Sequence, residues 1–521
     1  MKFKKSLSIV VIVVVAVAAL GVVMKLPDNS GRSVSKVIPD SEETTLWKAF
    51  SAQLEGREGQ SGVYLLDSGR DAFVGRAVLA RMAERSIDVQ YYMFHQDTVG
   101  TLLINELLDA ADRGVRIRLL VDDMYGSDGD TMWLSLDAHP SFEVRLFNPF
   151  LRNYPKLLQY VTRLRTINHR MHSKTFTVDN QATIVGGRNI GDEYFDADKD
   201  LAFADFDVMA TGPVVPEVSS EFDQYWNSPH AFPIATLNPP VDIIPMDRLR
   251  KQMDEFFAQK QASDYIDALH NSALARDLMN KTAKFSFAKA LTIHDLPTKL
   301  ERNKGWKDDL LITQLVPYIR EAKKEFILVS PYFVPGEQVA EALCDMSTQG
   351  VRVMILTNSL ASNDVAAVHT GYIRHRKQLL RCGVELYELN EQLKTEERKL
   401  FTWLPGLSKS SLHAKTMAFD NKAMFVASFN FDQRSMYLNN EIGILFYDPE
   451  VASQSSANFR GNVNKVAFKV ELVTDDNGKE SLQWTGNLGG KKVVLDDEPY
   501  ASFGQKAAVQ IMRVLPVDFM L

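Results

Sequence analysis

Two short stretches of the chain carry the same polar pattern. "HSKTFTVDN" runs from His172 to Asn180 and "HAKTMAFDN" from His413 to Asn421. Further on, Gly186, Gly187 and Asn189 match Ala427, Ser428 and Asn430 at the same offset of 241 residues. One such motif could arise by accident; two in register do not. In an extended segment side chains alternate, so His172 and Lys174 share one face, as do His413 and Lys415. Asp179 and Asp420 fall on the other face near a turn, which they are expected to tie down. Asn189 and Asn430 each follow a second apolar strand and return an amide toward the same place. Two imidazoles, two ammoniums and two amides make an anion site, and phosphate is its natural guest.

Two histidines can divide a phosphoryl displacement. One attacks phosphorus and becomes a phosphohistidine; the other protonates the leaving oxygen and later deprotonates the incoming hydroxyl. That division calls for no metal and no cofactor, and no carboxylate-rich metal cluster stands at recognisable spacing. An imidazole nucleophile needs its other nitrogen held by an acceptor. Glu441, on the apparent strand after Asn430, and Asp205, in the matching place after Asn189, are assigned that role. Asp192, Asp200 and Asp207 are rivals in the first half. His95, His169 and His375 lack a paired context and read as structural.

The elements that must position these residues also come in two sets. "RSIDVQYYMF" reads as a strand, "TLLINELLDAADRG" as a helix ending in Gly114, and "VRIRLLVDD" as a second buried strand. "KEFILVSPYFVP", "QVAEALCDMSTQG" and "VRVMILTN" repeat that order, with Gly350 in the place of Gly114. Strands alternating with helices predict an α/β fold with parallel sheet, and two sets predict a duplication about a pseudo-two-fold axis. "DRLRKQMDEFFAQKQASDYIDALHNSA" reads as helical connection, the Asn477-Gly478 region as a hairpin, and "ASFGQKAAVQIMRVLPVDFML" as a closing amphipathic helix.

The 521 residues carry a net charge of −7, which argues against a nucleic-acid binder. Cys344 and Cys382 suit neither a zinc site nor a disulfide framework by spacing and read as buried free thiols. After Lys2, Lys4 and Lys5 comes an uncharged run from Ser6 to Met24, long enough to nearly cross a hydrocarbon core. It reads as an uncleaved anchor, with cleavage near Ala16-Val17-Ala18 as the alternative. The denser positive cluster would stay in the cytoplasm and leave the body outside. Arg145–Arg165 and Arg398–Lys409, one ahead of each motif, mix basic and apolar residues with aromatics such as Phe150 and Trp403. Each suits either a headgroup-layer contact or an ordinary active-site loop.

With its paired His-x-Lys-x4-Asp motifs, the chain resembles the phospholipase D superfamily. The likeness extends to "DAFVGRAVLARMAERSIDVQYYMFHQDTVG", "AADRGVRIRLLVDD", "GGRNIGDEYF" and "ASFNFDQRSMYLNNEIG". Within it, "SNDVAAVHTGYIRHRKQLLRCGVELYE" and the tail with Trp484, Glu498-Pro499 and Leu515-Pro516 are most similar to the type C branch of bacterial cardiolipin synthases. The resemblance implies two α/β/α sandwich halves with the active site at their interface. It implies transfer of a phosphatidyl group from phosphatidylglycerol or phosphatidylethanolamine to phosphatidylglycerol, with His172 as nucleophile and His413 as acid/base. Hydrolysis of phospholipids to phosphatidic acid is the alternative. The expected organisation is an inner-membrane anchor (1–26), a tether (27–44), a first half (45–231), a connection (232–304), a second half (305–454) and a C-terminal hairpin and helix (455–521). The expected partner is the phospholipid membrane, with no nucleic acid.

Overall fold

Short runs rich in Val, Ile and Leu become strands, and the longer amphipathic runs between them become helices that cover them. The computed structural model describes residues 24–195, 203–258, 260–302, 306–363, 365–392, 411–488 and 490–513. Each half has the same six-strand centre. In the first half the order is Asp207–Thr211, Ala182–Gly186, Thr175–Val178, Ser86–Tyr91, Arg116–Asp122 and Phe142–Phe147. In the second it is Ile442–Phe446, Ala423–Ala427, Thr416–Phe419, Glu325–Val329, Arg352–Thr357 and Glu385–Leu389. The last three strands of each set are parallel and the first three join them antiparallel. Helices Thr98–Asp112 and Gly336–Thr348 make the first parallel crossover in each half. Asp97 caps the former through Gly100 N–H. Gly114 and Gly350 follow them at φ of +88° and +91°, a conformation in which a Cβ is strained.

Strand alternation sorts the core into layers. Ile184 and Met209 face the helices of the first half, and Phe326 and Leu328 face those of the second. Their neighbours Val185, Val208, Ile327 and Val329 join one apolar cluster shared by both sheets. The two halves therefore meet through the inner faces of their sheets, and the duplication forms one packed unit.

The connection holds more than the expected helix. It breaks into Met246–Phe257, Lys260–Asn271 and Ala273–Met279, then adds two strands the sequence reading missed. Ser286–Ala288 pairs with Ser61–Leu66 at the edge of the first sheet, and Ala290–His294 with Ile442–Phe446 at the edge of the second. The expected hairpin is Ala467–Thr474 and Glu480–Leu488 with Gly478 at φ +77°, and an unforeseen strand, Lys491–Leu495, extends it. The closing helix is Phe503–Met512.

Two expectations are corrected. Cys344 and Cys382 form a disulfide, not free thiols. They sit on and just after the neighbouring helices Gly336–Thr348 and Ala366–Arg381, whose packing brings their Cα atoms to 5.3 Å, within a disulfide's span. Spacing along the chain could not reveal that. Phe150, grouped with the membrane-contact aromatics, is buried beside Tyr160 and Arg170. Among the described residues no helix is long and apolar enough to cross a membrane. Most of the Ser6–Met24 run, Asp200, the Arg398–Lys409 segment and the Leu515-Pro516 end lie outside the described residues.

Candidate active site between the two halves

Backbone pairing across the halves builds the site. Met171 bridges Asn440, and His172 N–H donates to Asn440 O at 2.8 Å. In the mirror position, Ser411–Leu412 pairs with Phe203–Ala204. The residue after each paired position is a motif histidine on one side and a carboxylate on the other. Hence His172 Nδ1 meets Glu441 Oε2 at 2.9 Å, and His413 Nδ1 meets Asp205 Oδ2 at 2.5 Å. Each imidazole is thus held by the opposite half. The pairing Gly186–Asp207 and Ala427–Gly443 makes Asp205 and Glu441 structural equivalents despite the longer first-half segment. Of the rivals, Asp207 is tied to Arg76, and Asp192 accepts from Val99 N–H.

The motifs stop short of being strands throughout. The regular strands begin at Thr175 and Thr416, just after each lysine. Lys174 Nζ donates to the His172 carbonyl at 2.5 Å, and Lys415 Nζ donates to the His413 carbonyl and lies 3.0 Å from its Nδ1. His172, Lys174 and Lys415 are buried, and His413 keeps 14% of its side chain exposed. Both histidines line one cleft of about 460 Å³, together with Asn189 and Asn430. Asn189 accepts from Met93 N–H at 3.3 Å and donates to Tyr194 Oη at 2.9 Å. Asn430 Oδ1 is buried with no hydrogen-bond partner among the described residues.

Asp179 and Asp420 face away from the cleft. Asp179 accepts backbone N–H bonds from Glu84, Arg85 and Ser86, and Asp420 from Lys323, Lys324 and Glu325. Each binds the hairpin to the start of the neighbouring parallel strand. Asp179, Asn180, Asp420 and Asn421 all take positive φ, from 51° to 57°, which explains the repeated Asp-Asn pair.

The site is electrostatically divided. Burial, then Lys174 and Lys415, holds His172 well below the ordinary imidazole range. Burial and Lys415 also lower His413, but Asp205 opposes them. Burial pushes Lys174 down to about 7. Burial raises Glu441 in spite of Lys174, whereas Lys415 and His413 outweigh burial at Asp205 and hold it below the usual carboxylate range.

Several neighbours were not found from sequence. Ser428 and Ser435 donate to the two oxygens of Glu441, at 2.5 and 2.7 Å. Tyr92 and Tyr194 pack edgewise on His172 and His413, with ring centres 4.8 and 5.2 Å apart. His95, read as structural, lines the cleft, with Nδ1 3.5 Å from Glu193 Oε1. Ser428 lay within the repeat, but its contact with Glu441 did not show there; Ser435 sits on the short helix Gln433–Tyr437, Tyr194 on the turn Asp192–Tyr194 and Tyr92 just past a strand, and their contacts depend on tertiary packing. His169 is structural, its Nδ1 3.0 Å from Leu438 O.

Comparison with known proteins agrees with this geometry. A family model described as "Cardiolipin synthase, PLD-like domain" matches residues 78–226 and again 315–462. The chain is 39% identical over 463 residues to cardiolipin synthase C of Escherichia coli (strain K12), covering 89% of this chain and 97% of that protein. It is 23% identical over 403 residues to cardiolipin synthase 2 of Staphylococcus epidermidis, covering 77% and 67%. Among solved structures, phosphatidylserine synthase of Haemophilus influenzae Rd KW20 shares the fold with a TM-score of 0.52 at 13% identity, over 81% of this chain and 91% of that one. Matched in both halves by the family model and along nearly its whole length by a curated relative, the chain belongs to the cardiolipin synthase family of phospholipase D-like proteins.

Proposed function

We propose that this protein is a cardiolipin synthase-type phosphatidyltransferase working through two histidines. The observation that carries the mechanism is the crossed pair: two imidazoles in one cleft, each held at Nδ1 by a carboxylate of the other half. With Nδ1 given to a carboxylate, Nε2 is the nitrogen of each ring assigned to phosphorus or a leaving oxygen, and Lys415 Nζ lies 3.3 Å from that of His413. His172, the more strongly disfavoured as a cation, is the neutral nucleophile. His413, beside anionic Asp205, is the acid.

In the first step His172 Nε2 attacks the phosphorus of a donor phospholipid. The bond to the headgroup oxygen breaks, His413 gives that oxygen its proton, and a phosphatidyl-histidine and a free headgroup alcohol result. In the second step His413 takes the proton of a hydroxyl on phosphatidylglycerol. That oxygen attacks phosphorus, the P–N bond breaks, and cardiolipin forms with both histidines restored. Lys174, Lys415, Asn189 and Asn430 supply positive charge and donors for the phosphoryl oxygens. The donor is phosphatidylglycerol or phosphatidylethanolamine. The Lys2-Lys4-Lys5 cluster ahead of the apolar run, and the disulfide, support a body held outside the inner membrane.

Product analysis tests this. Purified protein with labelled phosphatidylglycerol in vesicles should make cardiolipin in excess of phosphatidic acid, and addition of phosphatidylethanolamine identifies the donor. His172→Ala and His413→Ala should each lower turnover by roughly 10²- to 10⁴-fold or more with the fold intact. Predominant phosphatidic acid, even with acceptor lipid in excess, would make the protein a hydrolase.

A further inference from the structure

Just ahead of His172, helix Lys156–Thr162 and the turn that follows it are packed the wrong way round for a soluble surface. Leu157, Val161 and Leu164 are spaced to share one side and are 78%, 58% and 48% exposed. The fully buried residue is polar Gln159, on the opposite side. Its amide donates to Leu151 O at 2.9 Å and Tyr154 O at 3.0 Å and accepts from Leu151 N–H at 2.8 Å. The amide thus fixes the helix to its own loop and turns the apolar side chains outward. Single exposed apolar residues are ordinary, but three within eight residues, on helix Lys156–Thr162 and at the start of the short helix Leu164–Ile167, mark a contact surface.

Three further observations name the partner. Within a chain of net charge −7, residues 145–174 contain no Asp or Glu; Lys156 and Arg165 flank the apolar residues in sequence, while Arg163 turns inward and donates to Gln159 Oε1 at 2.9 Å. Arg152 is neutralised by Asp123 and Asp130, and Arg165 is exposed. Met24, the last residue of the uncharged Ser6–Met24 run, is buried with its Sδ 3.6 Å from Thr162 Oγ1. The apolar run therefore ends against this helix. At the other end of the helix, Lys156 donates to Tyr125 O, and Tyr125 lines the cleft that holds both motif histidines. The helix spans the distance between the end of the apolar run and the lip of the cleft.

We propose that the Leu157–Val161–Leu164 face is the platform on which this protein lies in an anionic phospholipid bilayer. The apolar side chains enter the headgroup boundary and the flanking cations meet lipid phosphates. The cleft then opens at headgroup depth, where a phosphodiester arrives without leaving the membrane. The proposal rests on the functional reading only for its substrate.

The test uses the full chain in vesicles of phosphatidylcholine and phosphatidylglycerol. Val161→Cys, labelled with a fluorophore, should be quenched by brominated lipid, while a label at Val494→Cys, on the far edge of the second sheet, should not. The triple variant Leu157→Ser, Val161→Ser, Leu164→Ser should lose roughly ten-fold in turnover on bilayer phosphatidylglycerol and stay within about two-fold on a short-chain, monomeric form. An unquenched label at residue 161, undiminished bilayer turnover, or equal loss on both substrates would each overturn the proposal. The quenching arm needs no turnover, so it stands or falls separately from the synthase reading.

Discussion

Glu441 and Asp205 hold their imidazoles from unequal surroundings. Glu441 reaches its histidine with Ser428 supporting one oxygen and Ser435 the other. In the first half the place of Ser428 is taken by Gly187, where a Cβ would stand 2.2 Å from Asp205 Oδ1. The shorter carboxylate fills the space a serine side chain would need, so the departure from the repeat is required by Asp205 itself. The anion at Asp205 favours the charged form of His413. Asp205→Asn removes that help and lowers the His413 pKa. If His413 must carry a proton for the leaving group, the limb of the kcat profile where activity falls with rising pH should move to lower pH. Turnover should drop by up to roughly 10⁴-fold, the loss that follows when the carboxylate orienting a catalytic imidazole is replaced by its amide. An unmoved limb with full activity would remove Asp205 from the acid's support.

The motif hairpins are held by their aspartates, and the two differ in how dry their environment is. Asp179 is buried and accepts three backbone N–H bonds, whereas the bonds to Asp420 are largely at the surface. Removing a buried acceptor leaves donors without water, while exposed donors can be rehydrated. Asp179→Ala should therefore cost about 2–4 kcal/mol in denaturant unfolding and Asp420→Ala about 1 kcal/mol. The backbone donors of Glu325, Lys323 and Lys324 outweigh burial and hold the Asp420 carboxyl below its ordinary range. Its contribution to stability is present above the unfolded-state pKa and is lost as pH falls through the lower folded value. The acid-side slope of stability should flatten in Asp420→Asn.

Neither half is complete alone, since each carries a histidine whose acceptor belongs to the other. The shared apolar layer keeps those partners in register. In the second half, the disulfide joins two cysteines 38 residues apart in sequence, on one helix and at the end of its neighbour. Closing a loop of that size restricts the unfolded chain, so Cys344→Ser with Cys382→Ser should lower stability by about 2–4 kcal/mol, measured against wild type with and without reductant. Turnover at low temperature should be retained, because neither cysteine lines the cleft.

The repeated polar motif, the doubled strand–helix–strand order and the glycines after each crossover helix were legible in sequence, because they depend on local periodicity and on residue types with few substitutes. Asp205 and Glu441 were legible by their place in the repeat. Which histidine each one holds was not, because the crossing depends on backbone pairing between segments more than two hundred residues apart. The tertiary structure also decided the disulfide, the burial of Phe150, the edge strands of the connection and the outward face of Leu157 and Val161. Each of these is set by which surfaces the two sheets and their helices cover, and no local pattern encodes that.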